Sequence, residues 1–279
     1  MLYTALYVKL QIPSQEKYDM IMAELNEAGF EGFHETESGF IGYIRTDRFE
    51  NLDLKQPRFL KNPAFGPVTM EKEFILDKNW NELWEKNYEP AIIGNEIIVR
   101  APFHQSTGKY DFELIIEPKM SFGTGHHDTT ALMCQQILKT DMLNKKVLDM
   151  GCGTGILGIL AAKMQAKSVM AVDLNEWACQ NAKENAQKNG IEHIQIYTGG
   201  IEQVKRKKFE IILANISKKI LLEHIPIYSQ MLNKEGILLT SGILIDDMSE
   251  INRSCEDNGF ALGDYLQKKD WIAMRFLKN

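Results

Sequence analysis

No stretch of the chain approaches the roughly 18 consecutive apolar residues that a membrane-spanning helix needs, so no span and no membrane partner are expected. Cysteine is scarce. Cys134, Cys152, Cys179 and Cys255 are the four, with no pair at CxxC spacing and no His pair at zinc-finger intervals. That pattern argues against a zinc site, and no metal is expected. Four scattered thiols beside 13 methionines suit a reducing cytosol. The opening MLYTALYVKLQIP has no basic region ahead of an apolar run; it alternates like a strand, so no secretory leader is expected. Basic residues are in deficit, 32 Lys and Arg against 38 Asp and Glu, for a formal net charge of −6. A nucleic-acid binder usually presents a basic face, so this balance argues against nucleic acid as the main partner. A small basic protein suits an acidic enzyme better, through electrostatic steering.

What is present is ordinary for a globular protein of about two domains: 279 residues, 44% hydrophobic and 25% charged. Over residues 1–75 the pattern predicts a small α+β, ferredoxin-like domain. LYVKLQI alternates, Gln15 to Gly29 has helical periodicity with Met20, Ile21, Leu25 and Ala28 inward, and Gly29 stops the helix. FEGFHETESGFIGYI reads as two strands around a turn at Glu37, Ser38 and Gly39, and VTMEKEFI as another strand. No phosphate loop, nucleophile–base pair or carboxylate cluster stands here, which leaves substrate recognition or plain scaffolding. Residues 76–105 read as a linker. Trp80 and Trp84, at i and i+4, share one face of a short helix, either as a packing anchor or as a brace against the next domain. Short strands are expected at AIIG, EIIVRAP and FELIIEP.

The pattern changes over residues 106–279. From Lys146 on, KVLDMG, SVMAVDL, IQIYTG and FEIILANI are apolar runs of strand length. Helical stretches such as ILGILAAKMQ and EWACQNAKENAQKNG separate them. Strands buried on both faces and alternating with helices predict a doubly wound, mostly parallel α/β sheet. GFALGDYLQ and WIAMRFLKN have no helix between them and predict a closing antiparallel hairpin.

In such a sheet, ligands bind at the carboxyl ends of the strands near the topological switch point. VLDMGCGTG sits at such an end, where glycines let the backbone approach a ligand and the next helix offers free N–H groups. Gly153, Gly155 and Gly158 also spell GxGxxG, and Asp173 follows Gly153 by twenty residues, so a dinucleotide dehydrogenase competes. Asp149 separates the two readings. A carboxylate inside the strand end repels a pyrophosphate but suits a cationic ligand. The register hhDhGxGxG is that of S-adenosylmethionine methyltransferases, whose cofactor carries a sulfonium and no phosphate. Asp173 then receives the ribose hydroxyls. The fourth strand of the unit ends at Asn215, where amino-directed methyltransferases place a side chain facing the methyl group; its carbonyl can accept a hydrogen bond from an acceptor amine. Ile216-Ser217 follows instead of Pro-Pro-aromatic, which weakens a DNA or RNA reading. Asn215 could also cap the helix beginning near Ser217.

Ahead of this motif stands SFGTGHHDTT. With Phe122, Gly123, Thr124, Gly125, His127, Thr129 and Thr130, followed by GCGTGILGI, ANI, SGIL and the Trp80–Trp84 pair, the chain resembles the methyltransferases of large-subunit ribosomal protein L11. The resemblance runs from Trp80 to the C-terminus. It implies a class I, seven-stranded methyltransferase sheet and S-adenosylmethionine as cofactor. It also implies methylation of lysine side chains and an N-terminal α-amine of a ribosomal protein; beside it, a cytoplasmic monomer needing no nucleic acid is expected. Thr130, Gly151, Gly153, Asp173 and Asn215 fall at its cofactor contacts, Asn215 also as the catalytic residue. The first glycine turn resembles the family's loop over the cofactor, so the two turns are expected to close on it from opposite sides. His126 and Asp128 depart from the family pattern. Competing readings are a methyltransferase of RNA or a small molecule, and a cofactor-binding module without turnover.

Overall fold

The computed structural model describes all residues except 1, 12–13, 37–38, 53–58, 60–61, 76–84, 86–87, 120 and 205. The chain forms two compact units, Met1–Tyr88 and Glu89–Asn279. Trp80 and Trp84 lie outside the described residues, as do Glu37 and Ser38 of the hairpin turn.

The first unit contains β1 (Tyr3–Leu10), α1 (Gln15–Glu27), β2 (Gly32–Thr36), β3 (Gly39–Arg45), the short α2 (Thr46–Phe49) and β4 (Val68–Ile75). Its antiparallel sheet has the order β2-β3-β1-β4, the predicted small α+β arrangement. Leu6, Val8 and Leu10 alternate onto one sheet face and pack with Phe40, Ile44, Ile21 and Leu25. On α1 the buried stripe is Tyr18, Ile21 and Leu25, with Met22 packed beside it. Met20, expected inward, is instead exposed, because at about 100° per residue it sits roughly 140° around the helix from Leu25. Ala28, also expected inward, is only half-buried. Gly29 does end the helix. Its φ of 102° is left-handed, and Phe30 N then donates back to the Leu25 carbonyl at 3.0 Å.

The second unit opens with β5 (Ala91–Ile93), β6 (Ile97–Arg100) and β7 (Phe112–Ile115), a separate three-stranded sheet. Ile93, Ile97, Val99 and Leu114 bury themselves in the same core as the large sheet, so these strands belong to this unit rather than to a linker. Next come α3 (Asp128–Leu138), β8 (Lys146–Met150), α4 (Ile156–Lys163), β9 (Ser168–Asp173), α5 (Glu176–Lys188), β10 (Ile194–Thr198) and β11 (Phe209–Asn215). The chain closes with α6 (Lys218–Met231), β12 (Leu232–Leu244), α7 (Met248–Asp257), β13 (Phe260–Lys268) and β14 (Trp271–Lys278).

The large sheet has the order β10-β9-β8-β11-β12-β14-β13. Its first five strands are parallel, and the predicted terminal hairpin adds β14 and β13 antiparallel. Neighbouring residues of one strand serve two cores. Val147, Ile211 and Leu213 pack under α3, α4 and α5, while Leu148, Ile212 and Ala214 pack against α6 and α7. This is why the strands read as unbroken apolar runs rather than as alternating ones. Strand order reverses at β8, which has β9 on one side and β11 on the other. The ends of these three strands are therefore where a ligand crevice is expected. Among the described residues, no helix is long and apolar enough to cross a membrane.

Burial on both faces makes a stability prediction. Ile212→Ala and Leu213→Ala, adjacent on β11 and both fully buried, should each lower unfolding free energy by about 2–5 kcal/mol. Denaturant titration checks this; a half-buried strand would lose stability at only one of the two positions.

Candidate active site

The crevice is built from two glycine turns that bind each other. After β8 the chain turns through Gly151, Gly153 and Gly155, all with left-handed φ, before α4 begins. The earlier turn, residues 121–125, lies directly on it. Thr154 N donates to the Phe122 carbonyl at 2.9 Å, and Thr154 Oγ1 donates to the Gly123 carbonyl at 2.6 Å. A Cβ on Gly153 would stand 2.3 Å from the Phe122 oxygen, so this close approach itself requires glycine. The two turns thus meet backbone to backbone at this point.

Two carboxylates stand at the strand ends. Asp173, last residue of β9, accepts from Gly153 N at 2.8 Å through Oδ2 and from Asn175 N at 2.9 Å through Oδ1. Gly153 N–H is thereby committed to a side chain. A dinucleotide's pyrophosphate would need such amides free, which counts against the dehydrogenase reading. Asp149 is buried inside β8. Its Oδ2 accepts from Gly158 N at 2.9 Å, while Oδ1 is buried without a partner. Burial, opposed by the Gly158 bond and reinforced by the Asp173 charge, pushes its carboxyl up to about 7. A cation placed beside Oδ1 would relieve that cost.

Asp173 and Gly151 line a cleft of about 310 Å³ with Leu174, Ile201, Ile216 and Ile220 as apolar walls and Glu202, Glu223 and His224 as polar ones. Leu174 follows Asp173 directly and is 74% exposed. Sequence reasoning passed over Leu174, Ile201, Ile220 and His224. The legible signal was only the apolar residue after Asp173.

Asn215 ends β11 immediately before Ile216, and its Oδ1 is buried with no partner. The capping alternative finds no support, because α6 has Ser217 at its N-cap and Asn215 Oδ1 bonds nothing there. Thr130 is 1% exposed in the first turn of α3, its Oγ1 also without a partner, and it does not line the cleft. Asp149, Thr130 and Asn215 each carry a buried oxygen without a protein hydrogen-bond partner, and none of the three lines the cleft. A ligand rich in N–H, O–H and positive charge fits those needs.

The loop histidines serve structure. His126 Nε2 lies 2.9 Å from the Glu89 carbonyl, and His127 Nδ1 accepts from Thr129 N to cap α3. The His127 ring stacks edgewise between Phe122 and Trp271. Asp128 pairs with Lys268 at 2.9 Å and Lys269 at 3.0 Å, and these ammoniums hold its carboxyl below the usual carboxylate range. The tip of the β13–β14 hairpin thus pins the loop from outside.

Comparison with known proteins finds relatives over most of the chain. The family model for ribosomal protein L11 methyltransferase (PrmA) matches residues 8–279. A ribosomal protein L11 methyltransferase of Phocaeicola vulgatus is 38% identical over 264 residues, 93% of each chain. One of Porphyromonas gingivalis is 39% identical over 271 residues, covering 95% of this chain and 92% of that one. Among solved structures, the ribosomal protein L11 methylase of Lactobacillus delbrueckii subsp. bulgaricus is similar at 30% identity and a TM-score of 0.64, over 69% of this chain and 100% of that chain.

The raised Asp149 carboxyl makes stability depend on pH. Between the ordinary value of 3.8 and about 7 the folded state holds a proton that the unfolded state has lost. Stability should therefore fall as pH rises across that window and level off above it. Asp149→Asn keeps an acceptor for Gly158 N–H and removes the charge. It should match the wild type near pH 4 and exceed it by on the order of 4 kcal/mol at pH 8. Parallel denaturation curves at the two pH values would show this; equal stabilities at pH 8 would refute it.

Proposed function

The chain belongs to the ribosomal protein L11 methyltransferase family, and on that premise we propose that it methylates lysine side chains and the N-terminal α-amine of that ribosomal protein. The observation that supports the reading is the unpartnered, buried Asn215 Oδ1 at the end of β11, one residue before Ile216 of the cleft that Asp173 also lines. S-adenosylmethionine, when bound, supplies an electrophilic methyl on a sulfonium. Asp173 takes the ribose hydroxyls, with its orientation already set by Gly153 N and Asn175 N. Leu174 and Ile201 would flank the base, Gly151 would allow close approach, and Asp149 would answer the positive charge of the amino acid portion. Thr130 Oγ1 offers a further polar contact where α3 begins.

The acceptor must arrive as a neutral amine, since its lone pair forms the new N–C bond while the S–C bond breaks. A free lysine has a pKa of about 10.4, so desolvation at the site favours the uncharged form. Asn215 Oδ1 accepts one N–H of the amine and turns the lone pair toward the methyl group. The proton released from the methylated nitrogen leaves to solvent. Orientation and proximity then carry the rate, and can supply about 7–11 kcal/mol in favourable cases.

The first unit has its own core and, among its described residues, none of the site's machinery. We assign it the task of holding the protein acceptor. A tethered recognition unit raises the effective concentration of each target amine at one methyl-transfer site.

Two experiments test these assignments. With labelled cofactor and the ribosomal protein, Asn215→Ala should lower the single-turnover rate by about a hundredfold, the scale of a misplaced reactant, while cofactor affinity stays near wild type. Equal losses in both, or unlabelled protein by mass spectrometry with the wild type, would count against the assignment. A chain beginning at Lys78 should still bind S-adenosylmethionine but methylate the ribosomal protein orders of magnitude more slowly. Full-rate methylation by that chain would remove the first unit from substrate recognition.

A further inference from the structure

The far wall of the cleft holds a histidine whose tautomer is set by a buried tyrosine. Tyr228 is completely buried in α6, and its hydroxyl lies 3.1 Å from His224 Nδ1, one turn earlier on the same helix. A phenol in an apolar core is costly unless its own proton finds an acceptor. The Nδ1 lone pair is that acceptor. The opposite arrangement, with Nδ1–H donating to the phenol oxygen, would leave the phenol proton buried and unmade. His224 is therefore the neutral imidazole protonated on Nε2. Burial also moves the imidazole below its ordinary value, against the opposing charges of Glu223 and Glu202, which keeps it neutral.

His224 lines the same cleft as Leu174, Ile201 and Ile220. With Nδ1 turned to Tyr228, the hydrogen-bonding group that the imidazole has left is the Nε2–H. Glu202 and Glu223 line the cleft too, and both act on the His224 charge. A donor and acceptors set together between apolar walls match one particular shape. The amino edge of adenine has an acceptor ring nitrogen next to an exocyclic N–H donor.

We propose that His224 Nε2–H donates to a ring nitrogen of the cofactor's adenine beside the exocyclic amine, N1 or N7, and that Tyr228 is the positioning residue that holds the imidazole in that tautomer. The inference rests on the reading of this cleft as the S-adenosylmethionine site, and adds which side chains recognise the base. Base recognition then comes from α6, while the ribose is held from β9.

The test is calorimetric binding of S-adenosylhomocysteine and its 1-deaza and 7-deaza analogues, which replace one ring acceptor with C–H. The full-length chain should bind one of the two analogues about three- to tenfold more weakly than the parent, the worth of one neutral hydrogen bond. His224→Phe, which keeps a ring of similar bulk, should bind the parent more weakly by a similar factor and show no further loss with that analogue. His224→Gln, whose amide N–H can still donate, should recover part of the affinity. Tyr228→Phe, which frees Nδ1 to take the proton, should weaken the parent less than His224→Phe does. Parent affinity unchanged in His224→Phe, or equal analogue losses in wild type and variant, would overturn the His224 assignment. Wild-type affinity in Tyr228→Phe would overturn the positioning role. No binding of S-adenosylhomocysteine by the wild type would instead overturn the cofactor reading beneath it.

Discussion

Thr154 is the residue on which the crevice depends. Through its amide and hydroxyl it holds the Phe122 and Gly123 carbonyls, and through its own carbonyl it accepts from Asn185 Nδ2 at 2.9 Å. One buried side chain and its peptide thus join the loop over the site, the start of α4 and the middle of α5. The stitching continues down α5. Asn185 Oδ1 accepts from Glu117 N at 2.9 Å, and Asn189 brackets Ile115 by accepting from its amide at 3.0 Å and donating to its carbonyl at 2.7 Å. β7 pairs with β6 along one edge only, with Ile115 opposite Arg100, and its other edge has no strand in its three-stranded sheet. The asparagines supply the hydrogen bonds a ladder would otherwise provide. A polar side chain mid-helix usually competes with the helix itself; here it spends that capacity on a neighbouring backbone.

With the seam closed, charge decides what the crevice can take. Asp173 stands close enough to disfavour ionisation of Asp149, and both occupy strand ends where a phosphate-binding fold keeps backbone amides free. Gly153 N, an amide of the glycine turn, is already bonded to Asp173. The site therefore prefers a ligand carrying positive charge and hydroxyl donors over one carrying phosphate. That preference, more than the glycine pattern, separates a methyl donor from a dinucleotide.

Outside the crevice, the terminal hairpin closes the sheet and also reaches the loop. Trp271 stacks on His127, which stacks on Phe122, and Asp128 is gripped by Lys268 and Lys269 at the hairpin tip. His126 meets the Glu89 carbonyl, and Asp128 meets the hairpin lysines. The exposed ion pairs contribute little stability on their own. Their effect is to fix where the loop can lie.

Sequence by itself determined the sheet, because strands covered on both faces must be apolar throughout and strands such as Phe209–Asn215 announce themselves. It determined the glycine turn and Asp173 as well, since a strand–turn–helix with an acid at the next strand end is a local pattern. The inward face of α1 was only partly legible. Tyr18, Ile21 and Leu25 form the stripe, but Met20 is as apolar as they are, and only its angle around the helix puts it in solvent. Tertiary structure alone decided the rest. The cleft draws Leu174 from the end of β9, Ile201 from the turn after β10, and Ile220 and His224 from α6, residues whose separation along the chain carries no signal. It alone placed β5 and β6 in the core of the second unit, brought Phe122 onto Thr154, and left Asn215 Oδ1 buried without a partner. The physical reason is that periodicity records which face of an element is dry, whereas a hydrogen bond across elements is set by where separate backbones come to rest.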